Sequence, residues 1–234
     1  MAEDVSVIIP AYNEADVIGR TVNAALCIPG VVQVIVVDDC SSDETAEAAR
    51  AAGAHTVVSL AKNLGKGGAL AAGLKQAKSP VILLLDADLG ASASEGEKLI
   101  SPVLGGDADM TVGIFGKSRP SPTQKFGAKS GGMGLVVKTA RLGIKALTGR
   151  TLCAPLSGQR AVRREVLERA EGFAGRFGVE AGLSVDALRM GCRIIEVPVD
   201  MVHRASGRNL RGAAHRARQM LNVIYTLARK AISK

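Results

Sequence analysis

Tryptophan is absent from this 234-residue chain, and aromatic residues make up only 3% of it. Binding of single-stranded nucleic acid by base stacking needs aromatic platforms, so that function class has little support. No apolar run approaches the roughly 18 residues of a membrane-spanning helix. The start, Met1-Ala2-Glu3-Asp4, is acidic where a secretory signal would be basic. The four cysteines, Cys27, Cys40, Cys153 and Cys192, form no Cys-x-x-Cys pair. They read as reduced thiols, which places the expected protein in the cytosol. A Gly-x-Gly-x-x-Gly turn is also missing after the first apolar run, Val5 to Ile9, and this disfavours an NAD-dependent Rossmann oxidoreductase. Finally, acids are missing from one long stretch: between Lys117 and Arg164 there are 11 basic residues and no Asp or Glu.

What is present is aliphatic. Hydrophobic residues are 47% of the chain, so Val, Ile, Leu and Ala must build the core of one sizeable α/β domain. Charge divides the chain more sharply than its total of +8 suggests. Residues 1–116 carry 7 Lys/Arg against 15 Asp/Glu, whereas residues 117–234 carry 23 against 7. An acidic half suits a cation and a basic half suits an anionic partner. The expected organisation is a metal- and nucleotide-binding half at 1–116, an acceptor-binding half of the same domain at 117–212, and a basic amphipathic helix at 213–234.

Val81-Ile82-Leu83-Leu84-Leu85 has the length and continuity of a strand buried on both faces of a mostly parallel sheet. It runs into Asp86-Ala87-Asp88, and alternation would turn both carboxylates to one side, toward one cation. Before it, the spacing predicts strands at Val5–Ile9, ended by Pro10, at Val32–Val37 and at His55–Leu60. Helices are expected between them: one capped by Asn13, one opened by a Ser41-x-x-Glu44 capping box, and one entered through the glycine-rich turn at Asn63–Gly68. Beyond it come a short helix at 92–101, a strand at Met110–Phe115, a loop at 116–132 and helices at 135–148 and 179–190. A strand at 192–202 then ends at His203. Between them, Pro155–Arg160 reads as a loop leading directly into a helix.

In a parallel sheet the strand ends lie side by side, in the crevice where ligands bind. Asn13/Glu14, Asp38/Asp39, Asp86/Asp88 and the turn with Lys66 therefore converge. Asp39 could accept hydrogen bonds from a ribose or a base, and Lys66 could neutralise phosphate. The stretches Val7–Glu14, Val36–Thr45, Asn63–Gly67 and Asp86–Asp88 resemble family 2 glycosyltransferases of the GT-A fold. The second half is similar to glucosyl-3-phosphoglycerate synthases and, more loosely, to dolichyl-phosphate mannosyltransferases. It is carried there by Pro155–Ala161 and by Phe177–Leu183.

The resemblance implies a Rossmann-like α/β domain that uses a nucleotide-diphosphate sugar, a UDP-sugar favoured, with Mg2+ or Mn2+. The nucleotide site then comprises Pro10, Ala11, Tyr12, Glu14, Asp39, Lys66, Gly67, Asp86 and Ala87. Asp88 is implied as the metal ligand, with Asp86 beside it and His203 completing the set. Glu180 is the candidate general base for the acceptor, with Asp186, two turns along the same predicted helix, as second choice. One departure stands out: Gly131-Gly132-Met133 lacks the arginine of the synthases' Gly-Gly-Arg. The acceptor is accordingly kept as an anionic or lipid-linked class, and the inverting or retaining outcome stays open. Two alternatives remain at this level. One is a GDP-sugar-dependent polyprenyl-phosphate glycosyltransferase, and the other a non-catalytic protein binding nucleic acid or a membrane surface through the basic half. Peripheral contact with an anionic membrane at its inner face and a homodimer are compatible with the terminal helix, while no nucleic-acid partner is expected.

Overall fold

The structure, a computed structural model, describes residues 4–116, 133–170, 178–202 and 210–232. Its centre is a seven-stranded sheet in the order β3-β2-β1-β4-β6-β5-β7. The strands are β1 (Val5–Ala11), β2 (Val31–Asp38), β3 (Thr56–Ser59), β4 (Val81–Leu84), β5 (Met110–Phe115), β6 (Arg160–Arg163) and β7 (Ile194–Val199). All neighbours run parallel except at β6, which lies antiparallel to both β4 and β5. The helices are α1 (Ala15–Leu26), α2 (Thr45–Ala51), α3 (Gly65–Leu74), α4 (Gly96–Leu104), α5 (Met133–Thr148), α6 (Arg164–Arg169), α7 (Val179–Arg189) and α8 (Leu210–Ile232), with a 3₁₀ segment at Ala87–Glu95.

Strand alternation sorts the aliphatic residues into two layers. Val7, Ile9, Val34, Val36 and Leu83 face Ile18, Val22 and Ala25 of α1 and Leu99 and Val103 of α4. Ile8, Ile35, Val37, Ile82 and Leu84 face Leu70 of α3 and Val179, Leu183 and Ala187 of α7. Helix α7 is covered in turn. Ala181 and Val185 on its outer side pack with Val136, Ala140 and Ile144 of α5 and with Val223 and Leu227 of α8. β1, β2 and β4 are therefore apolar on both sides over most of their length, and aliphatic side chains fill both layers.

The structure amends several expectations. β1 does not stop at Pro10 but runs to Ala11. Its pairing with β4 ends at Ile8, so Pro10, which lacks an N–H, asks nothing of that neighbour. Asn13 is not a helix cap. Its φ is +56°, and its Oδ1 accepts from the Ser42 amide, tying the end of β1 to the turn after β2. The capping box does not form either. Ser41 Oγ accepts from the Asn13 amide instead, and Asp43 takes the amides of Ala15 and Thr45. These polar residues fasten two neighbouring turns together rather than opening their own helices. The largest omission is β6 (Arg160–Arg163): the sequence pattern runs the loop Pro155–Arg160 into a helix and predicts no strand between them.

Candidate active site

β1, β2 and β4 deliver their carboxyl ends to one cleft of about 290 Å³, lined by Pro10, Ala11, Tyr12, Glu14, Asp39, Lys66, Asp86, Ala87 and Asp88, together with Ala69. Of the residues assigned to the nucleotide from sequence, only Gly67 is missing from this lining; it lies buried in the first turn of α3. Ala69 is the one lining residue the motifs did not flag.

Asp39 is nearly fully buried, and its carboxylate is already engaged. Oδ1 accepts from the Leu64 amide at 2.6 Å and Oδ2 from the Gly65 amide at 2.7 Å. The acid thus satisfies orphan amides at the start of α3, where the helix dipole also favours negative charge. It holds in place the turn that carries Lys66.

Lys66 is the hub. Its ammonium reaches Asp86 Oδ1 at 2.6 Å and Glu180 Oε1 at 2.9 Å. Burial would lower its pKa, but the Coulombic pull of Asp86 and then of Glu180 outweighs it, holding Lys66 charged well above the ordinary lysine range. The second Asp86 oxygen accepts from Gln159 Nε2 at 2.8 Å. Asp86 and Asp88 do share the cleft, although not by strand alternation. Asp86 is the extended residue before the 3₁₀ segment and Asp88 lies in its first turn. Thr21 of α1 fixes that turn, donating to the Ala87 carbonyl at 2.7 Å and accepting from the Gly90 amide at 2.9 Å.

The opposite wall is the segment before β6. A Cβ on Gly158 would fall 2.3 Å from Lys66 Nζ and 2.9 Å from each Asp86 oxygen, so only glycine lets the chain sit directly on the ion pair. Arg160, 1% exposed, ties this segment down from beneath. It donates to the carbonyls of Ser157 and Pro155 and to Ser184 Oγ of α7. Burial pushes its pKa down to about 10, so the guanidinium keeps its charge at neutral pH. Ser157 Oγ and Gln159 Oε1 are the two buried side-chain atoms without a hydrogen-bond partner among the described residues. Both belong to this wall. Glu180 arrives from the first turn of α7, preceded by Gly178 at φ +88°.

Asp186 does not join the group. Its carboxylate is buried against Lys230 of α8, at 2.6 Å, on the far side of α7. A base held in that way cannot reach an acceptor in the cleft, so the second choice falls. His203 lies outside the described residues. Among the described residues, no cluster of three or more His, Cys, Asp or Glu is arranged to hold a metal. A small divalent cation bound by one or two carboxylates, with water and phosphate oxygens completing its shell, needs no such cluster. Asp88 and Asp86 fit that pattern. Gln159 was missed because its approach to Asp86 depends on β6, and nothing in the local pattern marks a four-residue strand between basic residues.

A family model described as glycosyl transferase family 2 matches residues 6–170. Glucosyl-3-phosphoglycerate synthase from Mycolicibacterium paratuberculosis is 34% identical over 203 residues, covering 80% of this chain and 61% of that protein. Undecaprenyl-phosphate 4-deoxy-4-formamido-L-arabinose transferase from Klebsiella pneumoniae is 28% identical over 232 residues, covering 95% and 66%. The chain therefore spans somewhat less than two thirds of these curated relatives. Among solved structures, the Mycobacterium tuberculosis glucosyl-3-phosphoglycerate synthase in complex with Mn2+, UDP and glucosyl-3-phosphoglycerate superposes with a TM-score of 0.77. It is 30% identical, with 97% of this chain and 80% of that one covered. The matched span includes the turns that carry Asp39, Lys66, Asp86 and Asp88, and with them the chain belongs to glycosyl transferase family 2.

Proposed function

We propose that this glycosyltransferase uses a nucleotide-diphosphate sugar, a UDP-sugar favoured, with Mg2+ or Mn2+, and transfers the sugar to an anionic or lipid-linked acceptor. The observation that carries this reading is Lys66 held between Asp86 and Glu180 in a cleft whose wall also bears Asp88. A divalent cation would be held by Asp88, with Asp86 beside it, and would supply charge neutralisation for the departing diphosphate. Lys66 adds a fixed positive charge at the same place, where electrostatic stabilisation contributes most. The bond from the anomeric carbon to the diphosphate oxygen breaks, and its electron pair leaves with the nucleotide. The acceptor oxygen forms the new bond, and where that oxygen is a hydroxyl its proton passes to Glu180. When the diphosphate engages Lys66, the ion pair with Glu180 loosens, and the carboxylate becomes available as a base.

For the acceptor, support comes from two sides. The acid-free stretch from Lys117 to Arg164 supplies excess positive charge. The two curated relatives are named for 3-phosphoglycerate and for undecaprenyl phosphate, and both compounds carry phosphate. No helix among the described residues is long and apolar enough to cross a membrane. We place the encounter with a lipid-linked acceptor at the bilayer surface.

Calorimetry of UDP with Mn2+ and with EDTA tests the donor site. Binding should be strong only with the metal, and Asp88→Ala should remove the metal-dependent part. Equal affinity in both buffers would refute the site. Glu180→Gln should keep UDP–Mn2+ affinity yet slow transfer to a hydroxyl acceptor by at least about a hundredfold, as for loss of a general base. A near wild-type rate with a hydroxyl acceptor would remove Glu180 from that role. A phosphate acceptor is already anionic and would make the substitution nearly silent.

A further inference from the structure

Along residues 220–232, the face of α8 turned away from α7 is apolar and exposed. Leu221 (67% exposed), Tyr225 (63%) and Ile232 (85%) recur at helical spacing with Ile224 between them. The other side of the same stretch is used: Thr226 abuts Gly178, just before α7, and Gly182 within it, Lys230 pairs with Asp186, and Leu227 packs on Gly143 of α5. The exposed stripe continues onto α5. At about 100° per residue, Leu135 and Leu142, both exposed, fall nearer to Gly143, and so to α8, than Lys138 and Lys145 do. The two lysines form the far margin, and exposed Arg229 lies on the opposite margin, toward α7. A band of six large apolar residues thus has cations on both edges.

What covers such a band is decided by charge. Neither α5 nor α8 contains a single Asp or Glu. A second copy meeting this face symmetrically would bring its own Lys138, Lys145 and Arg229 against the same residues, and like charges at an interface oppose association. An acidic surface with an apolar interior has the complementary character. We infer that the α5–α8 face docks the enzyme on an anionic lipid bilayer, with Leu221, Tyr225 and Ile232 entering the headgroup boundary and Lys138, Lys145 and Arg229 meeting lipid phosphates. The inference rests on this face alone and holds or fails independently of the donor and acceptor assignments.

The test uses the full chain with vesicles of phosphatidylcholine, pure or containing 30 mol% phosphatidylglycerol (an order-of-magnitude choice of surface charge, about one lipid in three). The protein should float with the anionic vesicles and stay behind with the neutral ones, and raised salt should release it. Two variants separate the contributions: Leu221→Asp with Ile232→Asp, and Lys138→Glu with Lys145→Glu and Arg229→Glu. All five positions are exposed, so circular dichroism and UDP affinity should stay at wild-type values. Each variant should weaken anionic-vesicle binding at least about tenfold, since an exposed cation near such a surface contributes about fivefold on its own. Absence of flotation by the wild type, or flotation unchanged in both variants, would overturn the inference. So would a concentration-dependent dimer that Leu221→Asp with Ile232→Asp dissociates, because the occupant of the face would then be a second copy.

Discussion

Replacing Gly158 by alanine perturbs the site with little effect on the fold, and the contact distances say why. The new methyl carbon would sit 2.3 Å from Lys66 Nζ, so the ammonium must retreat by roughly 1 Å to reach an ordinary van der Waals distance. The lysine tip can move, and Gly158 does not occupy the left-handed region, so no backbone strain is added. The backbone itself gains about 0.4–1 kcal/mol from the reduced freedom of the unfolded chain. Against this stands the 2.6 Å bond from Lys66 to Asp86. A charge-assisted bond contributes about 1.5–3 kcal/mol, and partial exposure of both side chains brings the loss toward about 1 kcal/mol. The two terms nearly cancel in stability. On the proposed function they do not cancel in activity, because a Lys66 displaced by this distance would no longer meet the diphosphate. Gly158→Ala should therefore unfold within about 1 kcal/mol of wild type, while UDP–Mn2+ affinity and donor hydrolysis fall about tenfold (about 1.4 kcal/mol). Denaturant unfolding and calorimetry on the same preparation read both. Unchanged affinity and turnover would refute the proposed role of Lys66 at the donor diphosphate, and a stability loss above about 3 kcal/mol would show that the glycine serves packing instead.

The buried pair Asp186–Lys230 offers a contrasting case. Lys230→Met leaves a carboxylate buried without its partner and should cost about 3–5 kcal/mol in denaturant unfolding, whereas Lys230→Met combined with Asp186→Leu should recover most of it. Failure of the double variant to recover would mean that the pair's geometry, rather than its charge balance, holds α8 to α7. Acid stability gives a third check. Hydrogen bonds from Arg193 hold the Asp109 carboxyl below its ordinary value of 3.8, against a weaker opposing effect of burial. A depressed carboxylate pKa stabilises the fold above the unfolded value and loses that contribution as pH falls. Asp109→Asn should accordingly flatten the loss of stability below about pH 4 in unfolding curves taken from pH 7 downward, and parallel curves for the two proteins would count against it.

The convergence of Glu14, Asp39, Lys66 and Asp86 on one cleft was legible in the sequence because the cleft is built from short local units. Each of them follows within a few residues of an apolar run whose period announces a strand or a helix start. The parallel arrangement then brings those ends together without further information. The wall opposite was marked only as the stretch Pro155–Ala161, and its contacts with Lys66 and Asp86 were not legible. Gln159 meets Asp86 across 73 residues, and Gly158 looks like any turn glycine until the distance to Lys66 is known. Asp186 misled for a related reason. Helical spacing sets it two turns beyond Glu180, but which neighbour covers that side of α7 depends on α8, more than 40 residues away in the chain. Asn13 and Ser41 carry the residue types of helix caps and here bond to each other's turns. Composition alone does not distinguish the two uses.

The antiparallel strand β6 has a consequence for how the two halves of the chain can be treated. Leu84 of β4 stands in register with Arg160. The last residues before β6 must therefore arrive beside the first residues after β4, and Gly158 and Gln159 are delivered to Asp86 by the ladder itself. A chain cut after residue 116 would lose more than a second set of contacts. β4 would become an open edge of four apolar residues, and β5 would lose the strand that ties it to the rest of the sheet. Grafting the second half of a relative onto this first half, as one might to change acceptor choice, thus replaces a central strand of the sheet. Such a chimera would have to match register at Arg160–Arg163 before any question of specificity could arise. In this fold, the wall opposite Lys66 can drift only as fast as the sheet beneath it allows.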